Sequence, residues 1–387
     1  MSQYIINSDY ASLVAIDQHA RTSTLKAIDL DTGVTKTRRL DDCPSADQMA
    51  EWALSWMTPP IRFAYESGPC GFDLARKMRA AGHACDIIAV TSIPGSTEDK
   101  TLKDNRRDAE RLLSEMVNPS SKIKAIWVPD KESEACRDLV RAYYDSTAAT
   151  KRSKQQLAGF LLRHGVVWNQ RTIRGTLRAT WTKPYIAWLS SIKMNEPADT
   201  AALDFYIKTA TENLDRDKKL SVICSEYAET PRWKPYIDAL ARLKGVEMLT
   251  ALTFAATIGD FERFSSGRAV SAYFGLTPSR HSSGEKANKN GHITKSGDST
   301  CRHAIIEALS CIPNLTSGTK KPAPGRLTSV QVEAEALKCN TRNVERYRHL
   351  IKAGKPANVA KTAVASELVR DMWIIGRMVQ RELADTR

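Results

Sequence analysis

The sequence predicts an α/β domain over residues 1–128 followed by a mostly α-helical remainder. Three observations lead to this division. Short, nearly continuous apolar runs such as "SLVAIDQHA", "IRFAYES" and "ACDIIAV" read as strands of a sheet covered on both faces. Segments with apolar residues three and four apart separate the later runs and read as helices packed on that sheet. Beyond Pro129 the strand signal stops and long amphipathic helices take over.

The elements of the first domain follow in order. After the first strand, "TLKAIDLDTGVTKTRRL" supplies two more strands joined by an Asp-Thr-Gly turn. "SADQMAEWALSWM" opens with Ser45 as an N-cap and repeats Met49, Trp52, Ala53 and Trp56 at helical spacing. "IRFAYES" is a strand, "GFDLARKMRAAG" a helix ending at Gly82, and "ACDIIAV" a fifth strand. "DAERLLSEM" is a helix and "IKAIWVP" a last short extended piece. Three strands, helix, strand, helix, strand, helix is the order of the ribonuclease H-like fold, a meander followed by α/β units.

Residues 129–240 read as a helical region. One long helix ends at Gly165, with Leu157, Phe160, Leu161 and His164 on one face, and a second carries Leu203, Tyr206, Ile207, Ala210 and Leu214. The pair reads either as a helical hairpin or coiled-coil arm, or as a bundle packed on its own domain. Residues 241–387 form the C-terminal domain. There, "LKGVEMLTAL" reads as a helix-hairpin-helix turn around Gly245 or as a plain αα-corner; the former offers backbone N–H groups to DNA phosphates. "GRAVSAYFGLTP" is a helix ending at Gly275, and "TCRHAIIEALSCI" is another. Ser279 to Ser299, poor in apolar residues, reads as a long loop, and Ser317 to Gly325 as a flexible basic linker. The last long helix lies in "GKPANVAKTAVASELVRDMWIIGRMV".

Lys and Arg number 57 against 44 Asp and Glu, a net charge of +13 spread along the chain, which favours a polyanionic partner bound on a folded surface. Eight scattered cysteines form no paired ligand motif, so a structural zinc site is not expected. The N-terminus lacks the blocks of a signal peptide, and no apolar run approaches the length of a membrane span. A cytoplasmic protein with free thiols is the expectation.

Asp17 sits among apolar neighbours in the first strand, where a carboxylate is costly unless paired or bound to a cation. Glu66 closes the fourth strand, which neighbours the first in such a sheet. Asp104 and Asp108 arrive from "TLKDNRRDAERLL", four apart on one helical face, and Asn105 lies three before Asp108. Four oxygen-bearing acids of this kind can hold one or two Mg²⁺ ions for phosphoryl transfer. The loop "PSRHSSGEKANKNGHITKSG" carries Ser282 and Ser283 among Arg280, Lys286, Lys289, Lys295 and, nearby, Arg302. A serine there needs activation to act as a nucleophile, and the cations can hold a phosphate. Trp168, Trp181, Tyr185 and Trp188 interleave with Arg171, Arg174, Arg178 and Lys183, a mix that either stacks on unpaired bases or packs as core.

Together "VAIDQHA", "FAYESGPCGFDL", "NRRDAERL", "FLLRHG", "TALTFAATIGDFERF", "AYFGLTPSRHSSGEK" and "GHITKSGDSTCRHAIIEAL" resemble the DEDD-type insertion-sequence transposases of the IS110 family and its IS1111 branch. The resemblance implies a RuvC-like N-terminal domain with a metal-binding Asp-Glu-Asp-Asp set, a coiled-coil region, and a C-terminal transposase domain with a catalytic serine. In "GLTPSRHSSG" the matching serine is Ser283, which would form a covalent phosphoserine with a DNA strand. The implied partners are donor and target DNA, a structured noncoding guide RNA that pairs with both, and further copies of the chain in a homodimer or homotetramer. A nucleoid-associated prokaryotic protein follows. Arg106, Arg107, Gly245, Arg280, Lys286, Lys289, Lys295 and Arg302 are the expected nucleic-acid contacts. The family pattern Lys-Thr-Asp-x-x-Asp-Ala reads here Lys103-Asp104-Asn105-Arg106-Arg107-Asp108-Ala109, so the third acid falls to Asp104, or Asn105 ligates through its neutral oxygen, or the copy is inactive. The expected activity is RNA-guided, Mg²⁺-dependent transposition. The alternatives are a RuvC-like nuclease acting on branched DNA and a nucleic-acid-binding protein whose acid site has decayed.

Overall fold

Val14, Ile16, Phe63, Tyr65 and Ile87 alternate with Leu13, Ala15, Ala64 and Ile88 along three neighbouring strands, and every one of them is buried. The period of two sends the first set into one core and the second into another on the opposite sheet face. The structure is a computed structural model that describes residues 3–4, 9–94, 105–283, 286–322 and 324–385. Of residues 3–4, 105–107, 280–283 and 286–290 only the backbone is described. Two compact units divide the chain, residues 1–129 and 130–387.

The first unit is a mixed α/β sheet domain. Its elements are β1 (Gln3–Tyr4), β2 (Ser12–Gln18), β3 (Ser23–Asp29), β4 (Thr35–Leu40), α1 (Ala46–Leu54), β5 (Ile61–Glu66), α2 (Asp73–Ala80), β6 (Ala84–Ile88), α3 (Asn105–Val117) and β7 (Lys124–Ala125). The strand order is β1-β7-β6-β5-β2-β3-β4. β2, β3 and β4 form an antiparallel meander, whereas β5 runs parallel to both β2 and β6. The expected order of elements is present, and β1 adds a short antiparallel edge beside β7 that the sequence reading omits. Ser45 caps α1 in a reciprocal box with Gln48. Met49, Ala53, Leu74 and Met78 place α1 and α2 on one sheet face, and Leu112, Leu113 and Met116 place α3 on the other.

The second unit is mostly helical: α4 (Lys131–Arg163), α5 (Lys183–Ser191), α6 (Pro197–Ala228), α7 (Lys234–Leu240), α8 (Met248–Ile258), α9 (Gly267–Tyr273), β8 (Pro278–Ser283), β9 (Lys286–Ile293), α10 (Ser299–Ala308), α11 (Val330–Lys352) and α12 (Ala357–Asp385). α4 and α6 pair antiparallel as a hairpin. Ser146 donates to Asp217, Asn213 donates to Ser153 at 3.2 Å, and the Phe160 and Tyr206 rings lie 5.4 Å apart. The base of this arm belongs to the main core through Cys136, Val140, Cys224 and Ala228, and its far end builds a separate core around Leu157, Phe160, Tyr185 and Leu203. The helical region and the C-terminal domain thus meet in one packed unit.

Two expectations need correction. The segment read as a long loop contains the antiparallel pair β8–β9. Its two strands are joined through backbone hydrogen bonds, so no apolar alternation is required and none is visible in the sequence. The basic linker is anchored: Lys320 donates to the Val246 carbonyl at 2.8 Å and to Glu247 at 2.8 Å. α11 escaped the sequence reading although Val332, Ala336, Cys339, Asn343 and Tyr347 form a buried stripe at helical spacing.

Gly376 of α12 has an aromatic neighbour where a side chain would go. A Cβ there would lie 1.9 Å from Cε1 of the buried Phe261, whose ring stacks on Tyr236. Gly→Ala inside a helix ordinarily gains about 1 kcal/mol. Here overpacking reverses the sign, and Gly376→Ala is expected to destabilise by ~1–3 kcal/mol. Thermal or urea unfolding of the purified variant checks this.

Candidate active site

β2 and β5 pair in parallel from Ser12 opposite Ile61 to Ile16 opposite Tyr65. One step further along both strands stand Asp17 and Glu66, at the carboxyl ends where open α/β sheets place their ligands. α3 brings the third acid. Ala109, Leu112 and Met116 are buried, which sets the phase of the helix and leaves the half-buried Asp108 in its first turn, near the two strand ends.

The electrostatics record this meeting. Burial is the largest cause that holds the Asp17 carboxyl above its ordinary value; His19 opposes it and Asp108 adds to it. Burial likewise raises Glu66, Arg111 opposes, and both Asp108 and Asp17 push it further up. Burial does most of this, and the smaller push from neighbouring like charge is what carboxylates gathered at one sheet end produce. His19 Nε2 lies 3.2 Å from Asp17 Oδ2, yet the alignment is not that of a hydrogen bond, and Oδ2 remains a buried acceptor without one. Arg111 Nη2 donates to Glu66 Oε1 at 3.3 Å.

His19 and Arg111 are the members that the sequence reading missed. The available signal was spacing: His19 lies two residues beyond Asp17, and Arg111 one helical step after Asp108. Among the described residues no three His, Cys, Asp or Glu side chains stand close enough to hold one ion as placed. Asp104 lies outside the described residues. Asn105, Arg106 and Arg107 open the backbone of α3, three, two and one positions before Asp108. The donor set that is described consists of carboxylate oxygens, one of them buried and unsatisfied, which fits a hard divalent cation.

In the second unit Ser283 ends β8 in register with Lys286, and Arg280 and His281 pair with Asn290 and Lys289. The base of this hairpin is tied down. Gly275 has φ +64°, and a Cβ there would lie 2.4 Å from the Ser296 backbone. Arg302 Nη1 donates to the carbonyls of Ser296 at 2.8 Å and Phe274 at 3.2 Å, so this expected phosphate contact also braces the hairpin. Lys295 is exposed. Asp298 caps α10 through the Cys301 N–H at 2.8 Å and accepts from Arg141 at 2.7 Å. Burial opposes its ionisation, but these two donors outweigh it and hold the carboxyl below its usual range.

Gly245 lies in the turn between α7 and α8 with φ +87°, where a Cβ would lie 2.1 Å from the Ala308 carbonyl oxygen. The aromatic group at the end of the arm packs together, Trp168 on Tyr185 and Trp188, and Trp181 on Tyr185. That is the core reading of these residues, with Tyr185 buried.

Comparison with known proteins adds a second line. Residues 237–321, from α7 through the hairpin and α10 to the anchored loop, match the family described as "Transposase IS116/IS110/IS902 family". The chain is 34% identical over 322 residues to a putative transposase, y4qE, of Sinorhizobium fredii, covering 82% of this chain and 75% of that protein. It is 30% identical to the transposase for insertion sequence element IS1533 of Leptospira borgpetersenii, over 54% of this chain and 58% of that protein. It is 34% identical to the transposase for insertion sequence element IS1111A of Coxiella burnetii, over 26% of this chain and 28% of that protein.

The raised Asp17 carboxyl has a stability consequence whose sign is fixed. Its contribution is fully present below the unfolded carboxylate value, about 3.9, and is lost as pH rises through the higher folded value. Asp17→Asn removes that loss. In EDTA the variant is expected to melt at a higher temperature than the wild type near neutral pH, and the difference should vanish on acidification below the carboxylate range. Melting curves over pH check it; a variant less stable at neutral pH would contradict the assignment.

Proposed function

The chain belongs to the IS116/IS110/IS902 family of insertion-sequence transposases and is a DNA-recombining enzyme, and from that premise we propose Mg²⁺-dependent, RNA-guided strand exchange through a phosphoserine at Ser283. The observation that carries the metal half of this reading is geometric: Asp17 and Glu66 stand at the adjacent carboxyl ends of β2 and β5, and Asp108 in the first turn of α3 adds to the rise of both their carboxyls. A divalent cation bound among these acids would offset their like charges. Asp17, Glu66 and Asp108 would hold it, with Asp104 or Asn105 completing the set. Bound there, Mg²⁺ supplies charge stabilisation to the oxygens of a transferring phosphoryl group. The meander β2–β4 followed by the parallel β5 and β6 supports a ribonuclease H-like, RuvC-like reading of this unit.

Ser283 supplies the nucleophile in this scheme. Its Oγ forms a bond to a DNA phosphorus, the phosphorus–oxygen bond of the strand breaks, and the freed strand hydroxyl leaves with the proton. Attack by the hydroxyl of a new strand reverses the step and restores the serine. The phosphodiester is transferred without water, so no external energy source is needed. Arg280, Lys286, Lys289 and Lys295, carried by the hairpin and the turn after it, and Arg106 and Arg107 at the start of α3 are the proposed phosphate contacts. Gly245 in the α7–α8 turn would add backbone contacts. The basic excess of the chain supports both DNA and a structured guide RNA as partners, with sequence choice left to base pairing. A homodimer or homotetramer completes the proposal.

The test is a labelled element-end duplex incubated with the protein, its flanking noncoding RNA and Mg²⁺, then run on a denaturing gel. A protein–DNA adduct is expected, absent in EDTA and with Ser283→Ala. Asp108→Asn should lower strand exchange roughly 10²–10³-fold. Cleavage without an adduct, indifferent to Ser283→Ala, would replace this scheme with a hydrolytic nuclease. Mg²⁺-insensitive binding alone would indicate a decayed site. Replacing Asp104 and Asn105 singly by Ala decides which of them completes the acid set: only the true ligand's loss should abolish exchange.

A further inference from the structure

We propose that a short β-hairpin at the far end of the α4–α6 arm, residues 170–178, is a second DNA contact that enters a groove of duplex DNA with Ile173 and Arg174 at its tip. The inference rests on the chain's acting on DNA and not on the metal or serine chemistry.

The geometry of the hairpin is defined by its backbone. Arg178 N–H donates to Gln170 O at 2.8 Å, Arg171 and Leu177 form a bridge, Thr172 N–H donates to Thr176 O at 2.8 Å, and Gly175 N–H donates to Thr172 O at 2.9 Å. Gly175 has φ +78°, which makes this a tight three-residue connection closed by a left-handed glycine. The side chains stiffen it: the Thr172 and Thr176 hydroxyls are 2.8 Å apart, and Arg171 Nη1 donates to Gly175 O at 2.7 Å. Its base is held by Trp168, whose indole N–H donates to Arg178 O at 3.0 Å while its ring packs on Tyr185 and Trp188. A loop so braced is built to keep one shape.

What that shape presents is unusual for a turn. The two central tip positions hold Ile173 and Arg174, where turns favour Asn, Asp, Ser, Pro or Gly. Ile173 is fully exposed, and Arg174 is exposed with no hydrogen-bond or ion-pair partner among the described residues. Neither residue serves the turn or the core. From Gly165 to Asn195 the sequence carries five cations, Arg171, Arg174, Arg178, Lys183 and Lys193, and no Asp or Glu. An acid-free cationic hairpin repels basic surfaces and is complementary to a polyanion. A two-stranded ribbon has dimensions that the major groove, about 12 Å wide, admits, and there an apolar side chain meets base edges while arginines reach phosphates. α4 runs 23 residues from Val140, in the main core, to Arg163, its last residue. At 1.5 Å per residue the far end of the arm that carries the hairpin lies about 35 Å from Val140, near one turn of B-DNA. A contact there would lengthen the footprint by about one helical turn.

The experiment uses the full chain in EDTA, so that its result stands whatever becomes of the covalent scheme. The probes are a fluorescein-labelled duplex of arbitrary sequence, about three helical turns long, and a single strand of the same length, read by anisotropy. The double variant Ile173→Ser with Arg174→Ala should bind the duplex ~10-fold more weakly, with unchanged melting temperature. The slope of log affinity against log salt should fall in magnitude by ~0.9, and Arg174→Lys should restore it. Wild-type affinity and slope in the double variant would overturn the proposal. An equal loss on the single strand would overturn the groove assignment, since charge alone would then account for the contact.

Discussion

The acid site of the first unit depends on one ladder, the parallel pairing of β2 with β5. A slip of one residue would reverse every side chain on one strand, driving Val14 and Ile16 or Phe63 and Tyr65 into the opposite core, which is packed around the smaller Ala15 and Ala64. Both faces of the sheet are covered, so the cores hold the register from two sides. The same register that buries those residues carries Asp17 and Glu66 to adjacent strand ends. Hydrophobic packing thus brings these acids together partly out of water, and burial, with a smaller push from like charge, raises both carboxyls.

The second unit solves a different problem. Its β8–β9 pair has no apolar alternation of its own, so its placement is delegated to neighbours. Arg302 holds the carbonyls at its base, Asp298 caps the helix that follows, and Arg141 reaches from α4 to the same aspartate. Deeper in the unit Asp371 is wholly buried between α11 and α12, where it accepts from Arg342 and Asn343. Burial pushes its carboxyl up to about 6 against the pull of Arg342. Buried polar bonds of this kind specify how long helices dock, because an unpartnered group in the core is costly.

The helices and strands with strong periodicity were legible, from the meander with its Asp-Thr-Gly turn to the cap at Ser45 and the ends at Gly82, Gly165 and Gly275. The β8–β9 pair was not, because a ladder built on backbone hydrogen bonds leaves no hydrophobic pattern to read. The anchoring of the basic segment by Lys320 was also hidden, since its partners lie more than seventy positions away in sequence. α11 was legible and overlooked: its stripe is interrupted by Asn340 and Asn343, whose buried amides bond across to Arg242 and Asp371.

By itself the sequence determined the fold class of each half, the basic balance of the chain, and the identity of Asp17, Glu66 and Asp108 as the acids to watch. The fold class follows from local periodicity, Asp17 from the cost of a carboxylate among apolar neighbours, and Glu66 and Asp108 from strand order, helical spacing and the resemblance of their motifs. Only the tertiary structure decided that His19 and Arg111 stand against those acids, that the arm is one intramolecular hairpin whose base lies in the main core, and that Ile173 and Arg174 crown a braced turn. The first and second depend on which distant surfaces pack together, and the third on a backbone conformation that residues Ile173 and Arg174 do not themselves favour, so hydrophobic periodicity announces none of them.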